Sequence, residues 1–178
     1  MQHKTVAILP FDVTIDVKHV PQGKTRQILL DQQKRTGYDV QTSVYFYLYK
    51  EKSKNKYTVD FQDIHKTNTM LSDAGVSYEE LQMMSKEEIC SLLGVDAVLG
   101  GKVITSRPMS AGAAFAVGTL AGVWGPTNRA RTTVTVHGKQ DSKLLWKYNF
   151  EYLGTVGSTA ESLTAALMKS VSKQFPYN

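Results

Sequence analysis

The sequence predicts an α/β fold with a crossover sheet, and three observations predict it. Ser85–Ser106, SKEEICSLLGVDAVLGGKVITS, reads as a capped helix feeding directly into a buried strand. Thr5–Leu9 is a second near-continuous apolar run, stopped by Pro10. Short runs of this kind suit strands covered on both faces, as in parallel sheets. Helical patterns lie between the two, and strands joined through helices pair in parallel by crossover.

Taken in order, Thr5–Leu9 opens the chain as a strand. Residues 10–36 are polar, with Pro10, Pro21 and Gly23 as breakers, and read as irregular, with a short helical turn at Ile28-Leu29-Leu30. Gly37–Lys52 reads as a heavily packed helix, because Val40, Val44, Tyr47 and Leu48 recur at helical spacing and Tyr45, Phe46 and Tyr49 widen the apolar surface. Lys50, Lys52, Lys54 and Lys56 follow at alternate positions and read as a solvated turn rather than an anion patch. Tyr57–Phe61 alternates as an edge strand. Asp63–Asp73 reads as a helix ending at Ala74-Gly75, and Ser77 with Glu80 opens a brief one holding Leu81 and Met84.

The central pair comes next. Ser85 with Glu88 is a capping-box pattern, Ile89, Cys90, Leu92 and Leu93 form an apolar face, and Gly94 is placed to end the helix. Val95–Ile104 is the buried strand, and its Gly100-Gly101 pair suggests a bulge or a close helix–strand approach. Arg129–His137 and Lys143–Leu153 alternate around the polar turn Gly138–Ser142 and form a hairpin. Trp146, Tyr148, Phe150 and Tyr152 share one face of the return strand, which suits packing beneath a helix. Ser158 with Glu161 is a third capping box, opening a last helix to about Gln174 with Leu163, Ala166, Leu167 and Val171 inward.

Between strand and hairpin lies Pro108–Pro126, PMSAGAAFAVGTLAGVWGP, uncharged throughout and flanked by Arg107 and Arg129. Gly, Ala, Ser and Thr make up more than half of it, which weakens a membrane-span reading. Two readings stand. The segment packs on the protein's own surface, or it contacts a partner or a membrane through Phe115, Val117, Leu120, Val123 and Trp124.

Composition bounds the function. The chain has 178 residues, 42% hydrophobic and 21% charged, which is enough for one domain with a real core. Its net charge of +5 is spread along the chain, so no nucleic-acid face is expected. One cysteine excludes an intrachain disulfide, and Cys90 reads as a small buried hydrophobe. Thr5–Leu9 begins too close to Met1 to leave room for a signal peptide, which fits a cytoplasmic protein or a mature exported domain with an added Met.

No chemistry stands out. His3, His19, His65 and His137 lie far apart, without metal-ligand spacing, and HExxH, GxSxG and CxxC are absent. Gly23-Lys24-Thr25 lacks the earlier glycine of a phosphate loop, because position 18 is Lys18. Asp60 and Asp63 read as solvated loop carboxylates. No catalytic residue, cofactor or metal is nominated.

The order of the pieces resembles a bacterial cell-envelope group. Thr5-Val6-Ala7-Ile8-Leu9-Pro10-Phe11 is similar to that group's opening strand. Val59–Asp63 with Met70-Leu71 and Ala74-Gly75 resembles its edge strand and following helix, and Ile89–Val103 resembles its central strand. The group includes the TolB amino-terminal domain, the curli secretion lipoprotein CsgG and the lipoprotein activators of penicillin-binding proteins. The resemblance covers nearly the whole chain as one domain, 1–178, with 108–126 as an insertion.

The resemblance implies a three-layer α/β/α sandwich on a mixed five-stranded sheet. Its parallel strands lie near 5–9, 57–61 and 95–104, its antiparallel hairpin near 130–153, and its closing helix at 159–174. It further implies a periplasmic or outer-membrane-associated location and a non-catalytic role in binding or assembly, with another envelope protein or a second copy as partner. The alternatives are a subunit of a secretion channel or oligomer, and a small-ligand binder or enzyme. The last would hold a pocket at the strand carboxyl ends, lined by Pro10-Phe11-Asp12 and Gly100-Gly101. The 108–126 segment lacks the alternation of a membrane β-hairpin, and no cysteine near residue 1 is present to carry a lipid.

Overall fold

The computed structural model describes residues 3–16, 23–106, 129–153, 160–171 and 174–177. Ser158, and the segment 108–126 with Phe115, Val117, Leu120, Val123 and Trp124, lie outside them. In chain order the elements are β1 (Thr5–Ile8), β2 (Asp12–Asp16), α1 (Gly23–Lys52), β3 (Asp60–Phe61), α2 (Ile64–Asp73), α3 (Tyr78–Met83), α4 (Lys86–Leu93), β4 (Ala97–Ser106), β5 (Arg129–Gly138), β6 (Leu144–Leu153) and α5 (Ala160–Val171).

The fold is mixed α/β, on a six-stranded mixed sheet of order β3-β1-β4-β5-β6, with β2 also paired to β4. The two apolar runs lie side by side as expected: β1 pairs with β4 in parallel, Val6 opposite Ala97 and Ile8 opposite Leu99. β5 joins the other edge of β4 antiparallel, and β6 closes the hairpin.

Alternation along the strands feeds two cores, one on each face. Val6, Ile8, Leu99 and Val103 pack with Val40, Val44 and Leu48 of α1 and Leu163, Leu167 and Val171 of α5. Ala7, Leu9 and Val98 point the other way, onto Leu71 of α2, Leu81 of α3 and Ile89, Cys90 and Leu93 of α4. The result is the expected three layers. The aromatic stripe Trp146, Tyr148, Phe150 and Tyr152 lies half-buried on the first core, and the Tyr148 hydroxyl meets Ser170 Oγ of α5 at 2.6 Å. Ser77 and Ser85 both form complete capping boxes, and Gly94 closes α4 in the left-handed conformation. Cys90 is fully buried, and burial pushes its thiol up to about 11, which leaves it unreactive.

The structure departs from the sequence reading between residues 10 and 61. Asp12–Asp16 is a strand rather than irregular chain, and it pairs in parallel with β4 from Asp12–Lys102 to Asp16–Ser106. The sheet therefore has six strands where five were expected. Helix α1 runs for 30 residues from Gly23, so Ile28–Leu30 is no isolated turn and Gly37 no boundary. Gly37 is a mid-helix glycine because the helix touches the link between β1 and β2 and a side chain of α3 there: a Cβ would fall 2.9 Å from the Tyr78 ring and closer still to the Phe11 carbonyl oxygen. Only Asp60–Phe61 of the expected 57–61 strand pairs with β1. Thr58 instead donates its backbone N–H and hydroxyl to the Tyr177 carbonyl, at 2.9 and 3.3 Å.

Gly100-Gly101 forms no bulge, since β4 keeps register with β5 through both residues. Gly101 allows close approach. A Cβ there would lie 2.6 Å from Phe11 Cε1 and nearer still to the Thr133 carbonyl oxygen. The lysine run is also more than a solvated turn. The Glu51 carboxylate, on a side chain only 8% exposed, receives Lys54 at 2.7 Å and also Lys56, while Lys52 pairs with Asp60 at 3.2 Å.

Gly101→Ala should lower stability by about 1–3 kcal/mol, the usual cost of overpacking a filled interior. Urea unfolding checks this, and an unchanged midpoint would refute the contact. Hydrogen bonds from Lys54 and Lys56 hold Glu51 down at about 2, from an ordinary 4.5. Its folded form is the poorer proton binder, so its contribution is complete above about 4.5 and drains away as pH falls toward about 2. Glu51→Gln should therefore flatten the acid limb of a stability–pH profile across that window, as followed by denaturant titration.

Candidate functional site

Two features of the second sheet face are positioned to meet something outside the fold. The first is an exposed area. Helices α2, α3 and α4 cover that face only around Ala7, Leu9 and Val98. Further along β4, Lys102 and Ile104 are exposed, as are Arg131 and Arg129 on β5 and Asn149, Glu151 and Leu153 on β6. These residues alternate with buried neighbours on β4 and β5 and with half-buried ones on β6, and so share one face. Ile104 is 41% exposed and Leu153 69%, large apolar side chains among charged ones.

Cross-strand pairs organise the area. Lys102 meets Asp12 at 3.0 Å, Arg129 and Arg131 meet Glu151 at 3.0 and 3.6 Å, and the Thr133 hydroxyl donates to Asn149 Oδ1 at 3.0 Å. Exposed pairs of this kind add little stability and mainly fix side-chain positions. Ser106 lies opposite Arg129 at the same end of the sheet.

The second feature is a cavity of about 190 Å³ where β1 stops. Pro10, Asp12, Gly100 and Gly101 line it, where a pocket was expected, but Phe11 turns to the opposite core. Gln82 of α3, Lys86 of α4 and His137 of β5 also line it. No sequence spacing links these three, because separate elements supply them. Burial lowers the Lys86 ammonium below its ordinary value, and burial together with nearby Lys86 lowers the His137 imidazole.

Tyr78 holds α3 beside this cavity. Its hydroxyl donates to the Phe11 carbonyl at 2.6 Å and accepts the Val13 N–H at 3.0 Å. Burial pushes that phenol up to about 12.

Comparison with known proteins adds the fold's relationships. No family model matches the chain, and no curated protein matches it in sequence. Among solved structures, lipoprotein GNA1162 of Neisseria meningitidis is similar at TM-score 0.55 and 11% identity, over 96% of this chain and 94% of that one. The two chains share a fold. Weaker likenesses are to hypothetical protein CT253 of Chlamydia trachomatis (TM-score 0.46, 10% identity, 96% of each chain) and to the LpoB C-terminal domain of Salmonella enterica (0.43, 7%, 85% of this chain and 83% of that one).

Among the described residues, no three His, Cys, Asp or Glu side chains gather as a metal site. No helix there is long and apolar enough to cross a membrane. The five residues that the sequence nominated for contact fall outside the described chain, so the exposed area came to light only through β4, β5 and β6 register.

Tyr78→Phe leaves the Phe11 carbonyl and the Val13 N–H without a partner in the interior. It should cost about 1–3 kcal/mol and speed hydrogen exchange at the Val13 amide, measured by urea unfolding and NMR exchange. Unchanged exchange at Val13 would refute the role.

Proposed function

We propose that this chain is a non-catalytic binding or assembly module of the bacterial cell envelope, periplasmic or outer-membrane-associated, working through protein–protein contacts. The observation that carries the reading is the exposed end of the second sheet face. There Ile104 and Leu153 stand among Lys102, Arg129, Arg131 and Glu151. Apolar side chains inside a polar rim are the make-up of protein interfaces. The envelope location draws support from the fold shared with GNA1162, a lipoprotein by name. It also draws on the resemblance of Thr5–Phe11 and Ile89–Val103 to the group containing the TolB amino-terminal domain, CsgG and the activators of penicillin-binding proteins. On this reading residues 1–178 form one such domain. Its 108–126 insertion extends the contact surface through Phe115, Val117, Leu120, Val123 and Trp124, toward another envelope protein or a second copy.

Pull-downs from envelope extract with the intact chain, an Ile104→Glu/Leu153→Glu variant and a deletion of 111–123 test the proposal. Both altered chains should keep the thermal midpoint within a few degrees yet capture the partner about tenfold less, or worse, as expected when interface anchors are lost. Equal capture by all three would overturn the surface assignment. Sizing with and without detergent separates a second copy from a different partner.

A further inference from the structure

The strand order ends on β6, and among the described residues no other strand lies along its outer side. β6 runs for 10 residues, has no proline, and buries none of its side chains fully. A typical strand has about five or six residues. β3, at the other end of the sheet, has only 2. The ladder fixes which backbone groups β6 leaves open. Lys139 N–H bonds the Asp96 carbonyl beside β4, whereas Gly138 N–H bonds the Lys143 carbonyl beside β6. Successive residues of a strand aim their backbone groups to opposite sides, so even-numbered residues of β5 face β6. Trp146, Tyr148, Phe150 and Tyr152 stand opposite Val136, Val134, Thr132 and Ala130, and turn their own groups back to β5. Lys147, Asn149 and Glu151 turn theirs outward, and no described residue bonds them.

Sheet edges are commonly blunted by a proline, a bulge or an unmatched lysine. From Trp146 onward β6 has neither proline nor bulge. Its lysine is matched: Lys147 and Glu151 stand at equal distances on either side of Asn149. Lys147 has no ion-pair partner among the described residues. Arg129 and Arg131 both reach Glu151 through Oε1, at 3.0 and 3.6 Å, which leaves Oε2 for a further cation.

We propose that β6 pairs antiparallel with β6 of a second copy of this chain, about a two-fold axis at Asn149, so that two sheets become one. Asn149 then lies opposite the partner's Asn149, and Lys147 opposite the partner's Glu151 on both sides of the axis. These pairs are joined through the backbone groups left open. Tyr148 faces the partner's Phe150 and Trp146 the partner's Tyr152, at the positions where cross-strand side chains stand closest, and the half-buried aromatics gain cover. Sliding the register by two residues keeps the backbone bonds but sets Lys147 against Asn149 or Leu153, so charge selects this pairing. The contact is self-complementary and closes at two copies. It uses the strand edge and leaves Ile104 and the sheet face proposed above in place, so the two readings fail separately.

Sedimentation equilibrium of the intact chain over a wide range of concentration should show a reversible monomer–dimer equilibrium. Lys147→Glu sets like charges opposite each other on both sides of the axis and should weaken the dimer about tenfold or more. Asn149→Pro removes an outward N–H that serves no bond within the chain and should weaken it as much. Circular dichroism checks that each variant folds, and Lys147→Glu, an exposed change, serves if the proline variant does not. Under mild oxidation Asn149→Cys should form an interchain disulfide and Glu151→Cys should not, because only position 149 lies within disulfide reach of its own copy. Cys90 is buried and takes no part. A monomer at every concentration, undiminished dimer in the variants, or equal cross-linking of the two cysteines would each overturn the assignment.

Discussion

The structure depends on how the outer edge of β1 and β2 is sealed. Both strands lie along the same side of β4, and β3 pairs only with β1. Among the described residues, backbone groups of β2 on the far side therefore have no neighbouring strand, and exposed edges of that sort invite pairing with other chains. Side chains fill the gap: Ile15 N–H donates to Gln33 Oε1 and Val13 N–H to the Tyr78 hydroxyl, each at 3.0 Å. At the break between the strands, Phe11 N–H reaches the Gly37 carbonyl at 3.1 Å, and Gln41 Nε2 donates to the Ile8 carbonyl at 2.7 Å. Gln41 is itself fully buried and completes its amide bonding with Asn68 of α2.

This arrangement explains why the cavity exists. One residue more separates Ile8 from Asp12 than separates Leu99 from Lys102, so the chain steps out of line at Pro10. Proline suits the step, having no N–H to leave unpaired. The step turns Phe11 into the first core and leaves open space on the second face, between β1 and the ends of α3 and α4. Beyond that space the helical layer ends, and the sheet face turns from apolar to charged.

Much of the fold was legible in the sequence because it rests on short-range signals. The apolar runs at 5–9 and 95–104, the capping boxes at Ser77 and Ser85 and the alternation in 129–153 each declare an element without outside help. What was misread depends on partners distant in sequence. Asp12–Asp16 alternates over too few residues, beside a proline, to stand out, and Gly37 resembles a break unless the Phe11 carbonyl beside it is known. Glu51 hides in a lysine-rich run, although the two lysines that clasp it lie within five positions. The candidate surfaces were least legible, since Gln82, Lys86 and His137 come from three separate elements.

Gln33, Gly37 and Gln41 stand four positions apart on one side of α1, so a single helix measures out three contacts along the strand pair. Inserting or deleting one residue between Gln33 and Gln41 would turn the outlying contact by about 100° around the helix axis. The stretch from Ile8 to Gln41 thus behaves like a rack and pinion. Substitutions are absorbed one at a time, whereas a change in chain length anywhere in the toothed part of the helix throws the whole edge out of mesh.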